Sequence, residues 1–300
     1  MSAVRHPAAF APDTIGYPGM RDMDRQAQLE RVARFRALHD RRRVLLLPNA
    51  WDAGSARMLS SLGFDAIATT SGGVAWSLGY ADGEAAPLAE VVAAIERIVR
   101  VTPLPVSADF EAGYGASPEA LATNVRAVID SGVAGINLED GIRHESLRDV
   151  DDAARRIAAA RGAARDMGVP IFINARVDTW IVGGGASVTD RIDETLRRAR
   201  AYLAAGADGI YPIALADPAA IARLCAEIDA PVNVGARAGL PDLAELGRLG
   251  VARVSTATRL ATFALSAARS AAMELRQSGR VGHLETAFGY ADMQKLFPHD

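Results

Sequence analysis

The sequence predicts an α/β protein with the (β/α)8 TIM barrel fold. Between positions 44 and 262, eight short apolar segments alternate with longer amphipathic segments, the pattern of successive strand–helix units. Glycine and proline alternate at the entries of seven of these segments: Gly63, Pro105, Gly132, Pro170, Gly206, Pro231 and Gly250. The alternative is an open doubly wound sheet, but no Gly-x-Gly-x-x-Gly motif follows the first segment.

The strands and helices follow from these patterns and from turn chemistry. We expect strands at Val44–Leu47, Ala66–Thr70, Val106–Phe110, Gly135–Leu138, Ile171–Ala175, Gly209–Ile213, Val232–Val234 and Ala252–Ser255. We expect helices near 53–62, 88–100, 118–131, 149–167, 189–205, 218–228, 241–248 and from 258. Ser117-Pro118 and Asp217-Pro218 each combine a capping residue with proline at the first helical position, and Ser187 with Asp190 resembles a capping box.

The N-terminal region precedes the repeating pattern. Residues 1–24 contain Pro7, Pro12 and Pro18 without apolar periodicity, which predicts a loose arm or an oligomer-contacting tail. A helix then places Leu29, Val32, Phe35 and Leu38 on one face. Residues 25–300 therefore form a single barrel with a C-terminal helical extension.

Composition favours a globular protein with a small-molecule partner. Half of the 300 residues are hydrophobic, 23% are charged, and the net charge is −3, which argues against a nucleic-acid partner. The basic cluster Arg41–Arg43 fits a solvated approach to the first strand. A single cysteine, Cys225, excludes an intrachain disulfide and a cysteine metal cluster. No apolar run reaches the roughly 18 residues of a membrane helix and no signal pattern opens the chain, so we expect no membrane partner and a cytoplasmic location.

Two acids stand at the end of the third predicted strand. In Ser107-Ala-Asp109-Phe-Glu111-Ala-Gly113 the polar positions alternate with apolar ones. Side chains two apart in a strand share a face, roughly 7 Å from each other. Neighbouring carboxylates repel unless a proton or a cation lies between them. The pattern therefore indicates a divalent, oxygen-preferring metal such as Mg²⁺.

The same polar ending recurs on three other predicted strands. The residues concerned are Asn137 and Glu139, then Asn174, Arg176 and Asp178, then Asn233 and Arg237. Barrel active sites are built at the C-terminal ends of the strands, so these residues are candidates for one shared site. The alternative is a set of ion pairs and caps at strand ends.

Five motifs resemble the isocitrate lyase/phosphoenolpyruvate mutase superfamily. They are Asn49-Ala-Trp-Asp-Ala-Gly-Ser-Ala56, Thr69-Thr-Ser-Gly-Gly73, the Asp109–Gly115 segment, Leu138-Glu-Asp140 and Asn174-Ala-Arg-Val-Asp178. The resemblance covers about Val44 to Thr262. It implies a (β/α)8 barrel, and a homo-oligomer, dimer or tetramer, in which neighbours exchange the eighth helix.

The resemblance also implies roles for individual residues. It makes Asp109 the principal Mg²⁺ ligand, with Mn²⁺ as a substitute metal, and Glu111, Glu139 and Asp82 further acids around the metal. The resemblance also implies that the turn Ser71, Gly72 and Gly73 holds the substrate carboxylate, that Arg176 faces the substrate, and that Trp51 lies near an aromatic wall of the pocket. Asn233, from the strand-end pattern, is a further candidate for binding the substrate. Three alternatives remain open: a simple tight turn at Ser71–Gly73, a surface acid at Asp82, and an ion pair of Arg176 with Asp178 or Glu139.

The expected chemistry is Mg²⁺-dependent cleavage of a C–C bond in a small 2-oxo or 2-hydroxy di-acid through a pyruvate-like enolate. The family's lyases carry a Lys-Lys/Arg-Cys-Gly-His segment after the Leu-Glu-Asp strand, whereas this chain has Gly141-Ile-Arg-His-Glu-Ser146. In this segment His144 or Arg143 is the candidate proton donor or charge clamp. The alternative for His144 is a solvated loop residue without a catalytic role. Tyr211 is a further candidate residue that faces the site. The alternative functions are C–P mutase or hydrolase chemistry and metabolite binding without turnover.

Overall fold

The computed structural model describes residues 23–143, 145–183, 187–286 and 288–297. Most of the arm expected at residues 1–24 lies outside these ranges, so it stays a prediction.

Eight parallel strands form a closed ring in sequence order. They are β1 (Leu45–Leu47, continued as Asn49–Ala50), β2 (Ile67–Thr69), β3 (Val106–Asp109), β4 (Gly135–Glu139), β5 (Phe172–Val177), β6 (Gly209–Pro212), β7 (Asn233–Gly235) and β8 (Arg253–Ser255). The first strand closes the ring, because Leu45 pairs with Arg253 of β8 and Asn49 pairs with Ala68 of β2. The predicted (β/α)8 barrel is confirmed. Seven of the eight predicted strands lie within two residues of their observed bounds, and the first continues to Ala50, three residues past its predicted end.

Pro48 interrupts the first strand between Leu47 and Asn49. Proline has no N–H to donate to a neighbouring strand, so the ladder is interrupted at this position. Its carbonyl still accepts a hydrogen bond from the Ala68 N–H at 2.9 Å. The strand therefore contributes to both of its neighbours, one on each side of the proline.

The helices surround the ring. They are α1 (Met23–Ala37), α2 (Ala53–Ser60), α3 (Ser71–Leu78), α4 (Leu88–Arg100), α5 (Pro118–Asp130), α6 (Val150–Asp166), α7 (Thr179–Val182), α8 (Val188–Ala204), α9 (Pro218–Glu227), α10 (Leu243–Arg248), α11 (Arg259–Ser278) and α12 (Tyr290–Leu296), with a 3₁₀ turn at Gly282–Leu284. The predicted caps at Ser117, Asp217 and Ser187 are confirmed, since each side chain accepts a backbone N–H of its helix.

Helix α1 covers the N-terminal ends of the strands. Its buried Phe35 packs edge-on against Phe172, the first residue of β5, with ring centroids 5.7 Å apart. A Cβ on Gly135, the first residue of β4, would come within 2.9 Å of the Phe35 ring. Because this end of the barrel is filled by aromatic packing, the opposite end is the one that can hold a ligand.

The last long helix is the most exposed part of the fold. Along α11 the only buried residue that the structure describes is Ala261, while the side chains of Phe263 and Leu265 are 75% and 56% exposed. The shorter helix α12 follows α11 in the chain. In the described part of the chain, no helix has the length and apolar character needed to cross a membrane.

Candidate functional site

The acid segment after β3 does not continue as a strand. The strand ends at Asp109, and Glu111 adopts a left-handed backbone conformation with φ 48°. The prediction that Asp109 and Glu111 share one face of an extended strand is therefore wrong, because the chain turns sharply between them. A left-handed conformation is costly for a residue other than glycine, and such strain is concentrated at functional sites.

Asp109 contacts the segment that follows β2. Its Oδ2 accepts hydrogen bonds from the Ser71 hydroxyl at 3.0 Å and from the Ser71 N–H at 3.3 Å. Its own N–H donates to Thr69 Oγ1 at 2.9 Å. The other carboxylate oxygen, Oδ1, is buried without a hydrogen-bond partner among the described residues. A buried and unpaired carboxylate oxygen is costly, so this atom marks a place that a ligand would stabilise.

Residues Ser71, Gly72 and Gly73 form the first turn of α3. The sequence predicted a turn here but not a helix, because Ser and Gly are weak helix formers. No side-chain hydrogen bond from the N-cap residue Thr70 to this turn is found among the described residues. The first N–H groups of a helix lack partners within the helix and favour an anion. The turn can therefore hold a carboxylate.

Two further predicted residues flank this turn. A Cβ placed on Gly72 would lie 3.1 Å from Asp82 Oδ2, and one placed on Gly73 would lie 2.6 Å from the Cβ of Trp51. Glycine at both positions thus lets Asp82 and Trp51 approach the backbone of the turn closely. The structure brings Asp82, Trp51 and the turn together beside Asp109.

Glu111 is held between two loops. Its Oε2 accepts the N–H of Glu84 at 2.6 Å, and its Oε1 accepts the hydroxyl of Tyr114. Burial is the main reason why the pKa of Glu111 rises to about 7, and the neighbouring carboxylates of Asp109 and Asp82 raise it further against the opposing effect of Tyr114. The three neighbouring carboxyl groups therefore form one acid region.

Arg176 lies within a buried ion-pair group. Its Nη1 is 2.5 Å from Glu139 Oε2, and Asp178 accepts two hydrogen bonds, from Nε and from Nη2, each 2.8 Å long. Burial alone would lower the pKa of Arg176, but Glu139, Asp178 and Asp109 outweigh it and raise the pKa. The ion-pair alternative for Arg176 is thus observed, and the influence of Asp109 places the guanidinium near the acid region.

Asp140 supports this arrangement from behind. Its Oδ1 accepts the N–H of Asp178 at 2.9 Å, while its Oδ2 accepts the Tyr202 hydroxyl at 2.6 Å and Arg198 Nη1 at 2.9 Å. Burial raises the pKa of Asp140 although these donors oppose the rise. The network connects α8 to the end of β5, and so fixes the backbone that carries Arg176 and Asp178.

The barrel interior below the site is polar. Asn174 Nδ2 donates to Asn137 Oδ1 at 2.9 Å, and the fully buried Arg253 donates to the same oxygen from Nη2 at 3.3 Å. Two other nitrogens of Arg253, Nε and Nη1, have no hydrogen-bond partner in the described part of the chain. Burial lowers the pKa of Arg253 to about 10, opposed by Tyr211 and Asp109.

Asn233 and Tyr211 also point into the barrel. Asn233 exchanges weak side-chain hydrogen bonds with Ser255, at 3.3 and 3.4 Å, rather than with the acids. Tyr211 is buried, and burial raises the pKa of its hydroxyl while Arg176 and Ser255 oppose the rise. His144 lies outside the described residues, so its predicted role is a hypothesis from the sequence. Arg143 precedes it with a left-handed backbone, φ 51°.

The acids do not form a ready-made coordination shell. Within residues 23–143, 145–183, 187–286 and 288–297, no three Asp, Glu, His or Cys side chains are grouped closely enough to hold a metal by themselves. The carboxylates of Asp82 and Asp109 are close enough to Glu111 to raise its pKa, whereas Glu139 forms an ion pair with Arg176. The unpaired Asp109 Oδ1 and an all-oxygen donor set nevertheless fit a hard dication, with water able to supply further ligands.

Sequence reasoning missed several residues of this region. Glu84, Tyr114 and Asp140 contact Glu111 or the segment carrying Arg176, but none was assigned a role. The available signals were the Gly113-Tyr-Gly115 loop beside the acids and the Asp after Leu138-Glu139. Glu84 lies in a loop whose pairing with a segment about 30 positions away has no local signature.

Comparison with known proteins agrees with this geometry. Residues 35–276 match the sequence model of the phosphoenolpyruvate phosphomutase family. An uncharacterised protein of Mycobacterium tuberculosis is 38% identical over 262 residues, which cover 87% of this chain and 94% of that protein. Oxaloacetate decarboxylase of Ectopseudomonas mendocina is 32% identical over 241 residues, which cover 76% of this chain and 79% of the relative.

A solved structure extends the likeness to three dimensions. A Burkholderia cenocepacia protein, described provisionally as a lyase/mutase, superposes with a TM-score of 0.84 at 37% identity, covering 90% of this chain and 97% of that one. The chain is thus an enzyme of a superfamily that includes carbon–carbon lyases. It belongs to the phosphoenolpyruvate phosphomutase family, within the PEP mutase/isocitrate lyase superfamily.

Proposed function

We propose that this enzyme cleaves a C–C bond of a small 2-oxo or 2-hydroxy di-acid in a reaction that depends on Mg²⁺ or Mn²⁺. The observation that carries the proposal is the unpaired, buried Oδ1 of Asp109 between the α3 turn and the acids. A 2-oxo di-acid would lose its distal carboxylate as CO₂, and the electron pair of the broken C–C bond would remain as a pyruvate-like enolate. A 2-hydroxy di-acid would lose its hydroxyl proton and split into a 2-oxo acid and the enolate of the other acid. The enolate is then quenched by a proton.

The residues that would hold the metal are Asp109, with Asp82 and Glu111 beside it. All three present carboxylate oxygens, and their mutual repulsion would be relieved by a cation. When bound, a divalent ion supplies Lewis-acid polarisation of a substrate carbonyl. Glu139 contributes negative charge at the same end of the barrel while it holds Arg176.

The chain's own residues would orient the substrate. The N–H groups of the α3 turn would bind one carboxylate, since they meet an anion at the positive end of a helix. Arg176 is charged and fixed by Asp178, so its guanidinium is positioned before the substrate arrives. Negative charge that develops on an oxygen during cleavage would be stabilised by this cation. Trp51, packed against the turn, would exclude water from one side.

The named relatives support a di-acid substrate. Oxaloacetate decarboxylase and 2,3-dimethylmalate lyase both match this chain, the latter at 34% identity over 187 residues. The segments Gly141–Ile142 and Ser146–Leu147 pair antiparallel after β4, where the sequence departs from the lyase motif, and they are candidates for selecting the substrate within this class. The candidate proton donors are Arg143, His144 and Tyr211.

A second candidate is C–P bond chemistry. It is favoured by the description of the matched family and by a 46% identical solved structure described provisionally as a phosphonomutase, with a TM-score of 0.76. The turn of α3 and Arg176 would bind a phosphonate as readily as a carboxylate. The two candidates differ in products. Cleavage of a di-acid releases an oxo acid without phosphate, whereas hydrolysis of phosphonopyruvate releases pyruvate together with inorganic phosphate, and its rearrangement gives a phosphate ester.

A substrate panel tests both candidates. Oxaloacetate, 2-methylisocitrate, 2,3-dimethylmalate and phosphonopyruvate would be supplied with Mg²⁺, and oxo-acid and phosphate release measured. We expect oxo-acid release from a di-acid, its loss in EDTA, and its loss in Asp109→Ala. Asp193→Ala, which removes an exposed carboxylate on α8, is the matched control and should retain full activity. Turnover that survives EDTA and Asp109→Ala would refute the proposal.

We also propose that the protein is a homo-oligomer that buries α11. The helix leaves large apolar side chains such as Phe263, Leu265 and Met273 uncovered in one chain, and exposed apolar area of this kind marks an interface. Light scattering should give a dimer or tetramer for the wild type and a smaller species for Phe263→Asp. Leu62→Asp, at an equally exposed leucine outside α11, should leave the mass unchanged, and a monomeric wild type would refute the idea.

A further inference from the structure

We propose that Glu84 and Tyr114 act as positioning residues that fix Asp82 and Glu111 for metal binding. This inference rests on the proposed function, because it assigns these residues to the same metal site. Two hydrogen bonds link the loop after α3 to the loop after β3: Glu84 N–H to Glu111 Oε2 at 2.6 Å, and Tyr114 N–H to Glu84 Oε1 at 2.5 Å. A third, from the Tyr114 hydroxyl to Glu111 Oε1, lies within the loop after β3. We call this group the latch.

The backbone of the latch is unusual. Glu84, Glu111 and Tyr114 all have left-handed conformations, with φ of 60°, 48° and 54°. Each is costly for a residue with a Cβ atom, and three occur in one hydrogen-bonded group. The hydrogen bonds made by their carboxylates and N–H groups offset this cost, so the latch depends on those particular side chains.

One side of the latch is anchored firmly. Arg156 Nη2 donates to the carbonyls of Ala112 and Gly115, at 2.8 and 2.7 Å. Asn124 Nδ2 donates to the Tyr114 carbonyl at 2.8 Å, and the Tyr114 ring packs against Phe110 at 5.5 Å. Helices α5 and α6 therefore fix the loop that carries Glu111 and Tyr114.

The other side is anchored weakly. Asp82 lies between Gly79 and Gly83, which have left-handed φ values of 87° and 94° and no described atoms within 4 Å of an added Cβ. Asp82 and Glu84 are themselves exposed. The latch therefore holds the loop that carries Asp82 over Gly72 and against the fixed loop.

Groups that orient metal ligands without binding the metal have a measurable effect. Their loss typically weakens metal affinity by about 10–100-fold. Tyr114→Phe removes one hydroxyl while it keeps the ring that packs on Phe110. Glu84→Ala removes the acceptor for the Tyr114 N–H, whereas Glu84→Gln keeps an acceptor oxygen at the same position.

The test combines Mn²⁺ binding, followed by electron paramagnetic resonance, with amide hydrogen exchange of the metal-free protein. We expect Tyr114→Phe and Glu84→Ala to weaken Mn²⁺ binding by about 10–100-fold, and Glu84→Gln to restore most of it. Exchange in segments 79–86 and 110–116 should become faster in Glu84→Ala. Tyr80→Phe is the matched control, since Tyr80 also donates its hydroxyl to a glutamate, Glu90, but on the exposed surface.

The outcomes separate the latch from the metal site. Wild-type affinity in Tyr114→Phe and Glu84→Ala, together with loss of binding in Asp109→Ala, would overturn the positioning role and leave the proposed metal site standing. Absence of Mn²⁺ binding in the wild type would overturn both the metal site and the positioning role. Unchanged exchange of both segments in Glu84→Ala would overturn the latch itself, whatever the metal does.

Discussion

Asp178 binds the guanidinium of Arg176 through two parallel hydrogen bonds of 2.8 Å, although the two residues are only two positions apart at the end of β5. The third nitrogen, Nη1, faces Glu139 at 2.5 Å. A bidentate pair fixes direction as well as distance. The guanidinium is therefore oriented by the protein before any substrate binds.

Asp178→Asn should separate orientation from charge. The amide retains one acceptor oxygen, so one of the two parallel bonds is lost and the NH₂ group meets a cation. We expect kcat/KM for the cleaved di-acid to fall about 100-fold, since small misplacements of a positioned group have effects of this size. Steady-state kinetics below the melting temperature measures the loss. Unchanged kcat/KM would show that Asp178 does not orient Arg176 for the reaction.

Tyr202→Phe tests the support behind this pair. The hydroxyl donates to Asp140 Oδ2 at 2.6 Å in a buried setting, and a buried hydrogen bond to a charged group contributes about 1.5–3 kcal/mol to the free energy of unfolding. We expect urea unfolding to show a loss in this range. Tyr80→Phe, which removes an exposed bond to Glu90, should change the free energy little. Equal effects in the two variants would contradict the role assigned to Asp140.

The barrel could be predicted from sequence because each strand has a local signature. Glycine or proline opens seven of the eight, and the capping residues Ser117, Ser187 and Asp217 mark helix starts that the structure confirms. Helix α3 was missed because Ser71-Gly-Gly has low helix propensity. Its formation depends on tertiary contacts, such as Ser71 with Asp109, that no local rule contains.

The site could be predicted only in outline. Polar residues at strand ends indicated where chemistry occurs, since parallel strands of a barrel end on one face. The partners of those residues could not be inferred, because Glu84 and Tyr114 are 30 positions apart and their pairing depends on two loops meeting. The sequence also did not predict that the Arg253 side chain points into the barrel. A three-residue strand has too few alternating positions to show which of its faces is buried.

His39 should make stability depend on pH. Burial lowers its pKa from 6.5 to about 3, and the charges of Arg253 and Arg36 lower it further, while its bond to the Phe35 carbonyl opposes the shift. The folded protein therefore keeps His39 neutral where the unfolded chain binds a proton. This stabilising contribution is fully present above pH 6.5 and is lost as pH falls toward 3.

The His39→Phe variant measures that contribution. Between pH 7 and pH 5, the free energy of unfolding of the wild type should fall by about 2 kcal/mol more than that of the variant. Carboxylates that titrate in this range affect both proteins and cancel in the comparison. Phenylalanine preserves the stacking on Phe172, whose ring centroid lies 4.1 Å away. Parallel pH profiles for the two proteins would mean that folding does not lower the pKa of His39.

Gly235→Ala should destabilise the protein because its new methyl group would clash with the hydroxyl of Tyr211. A Cβ at this position would lie 2.6 Å from the Tyr211 hydroxyl oxygen, while the next nearest ring atom is 3.5 Å away. The hydroxyl must therefore move, and overpacking of this kind costs about 1–3 kcal/mol. Thermal or urea unfolding of the single variant should show this loss.

The double variant Gly235→Ala with Tyr211→Phe provides the decisive comparison. Removing the oxygen leaves the new methyl group in ordinary contact with the ring, so adding Gly235→Ala to Tyr211→Phe should cost little. The expected coupling is large because the two groups are in direct contact. If Gly235→Ala destabilises the Tyr211→Phe background as much as the wild type, the clash is not with the hydroxyl. In that case Gly235 is required by the backbone of β7 rather than by the position of the tyrosine.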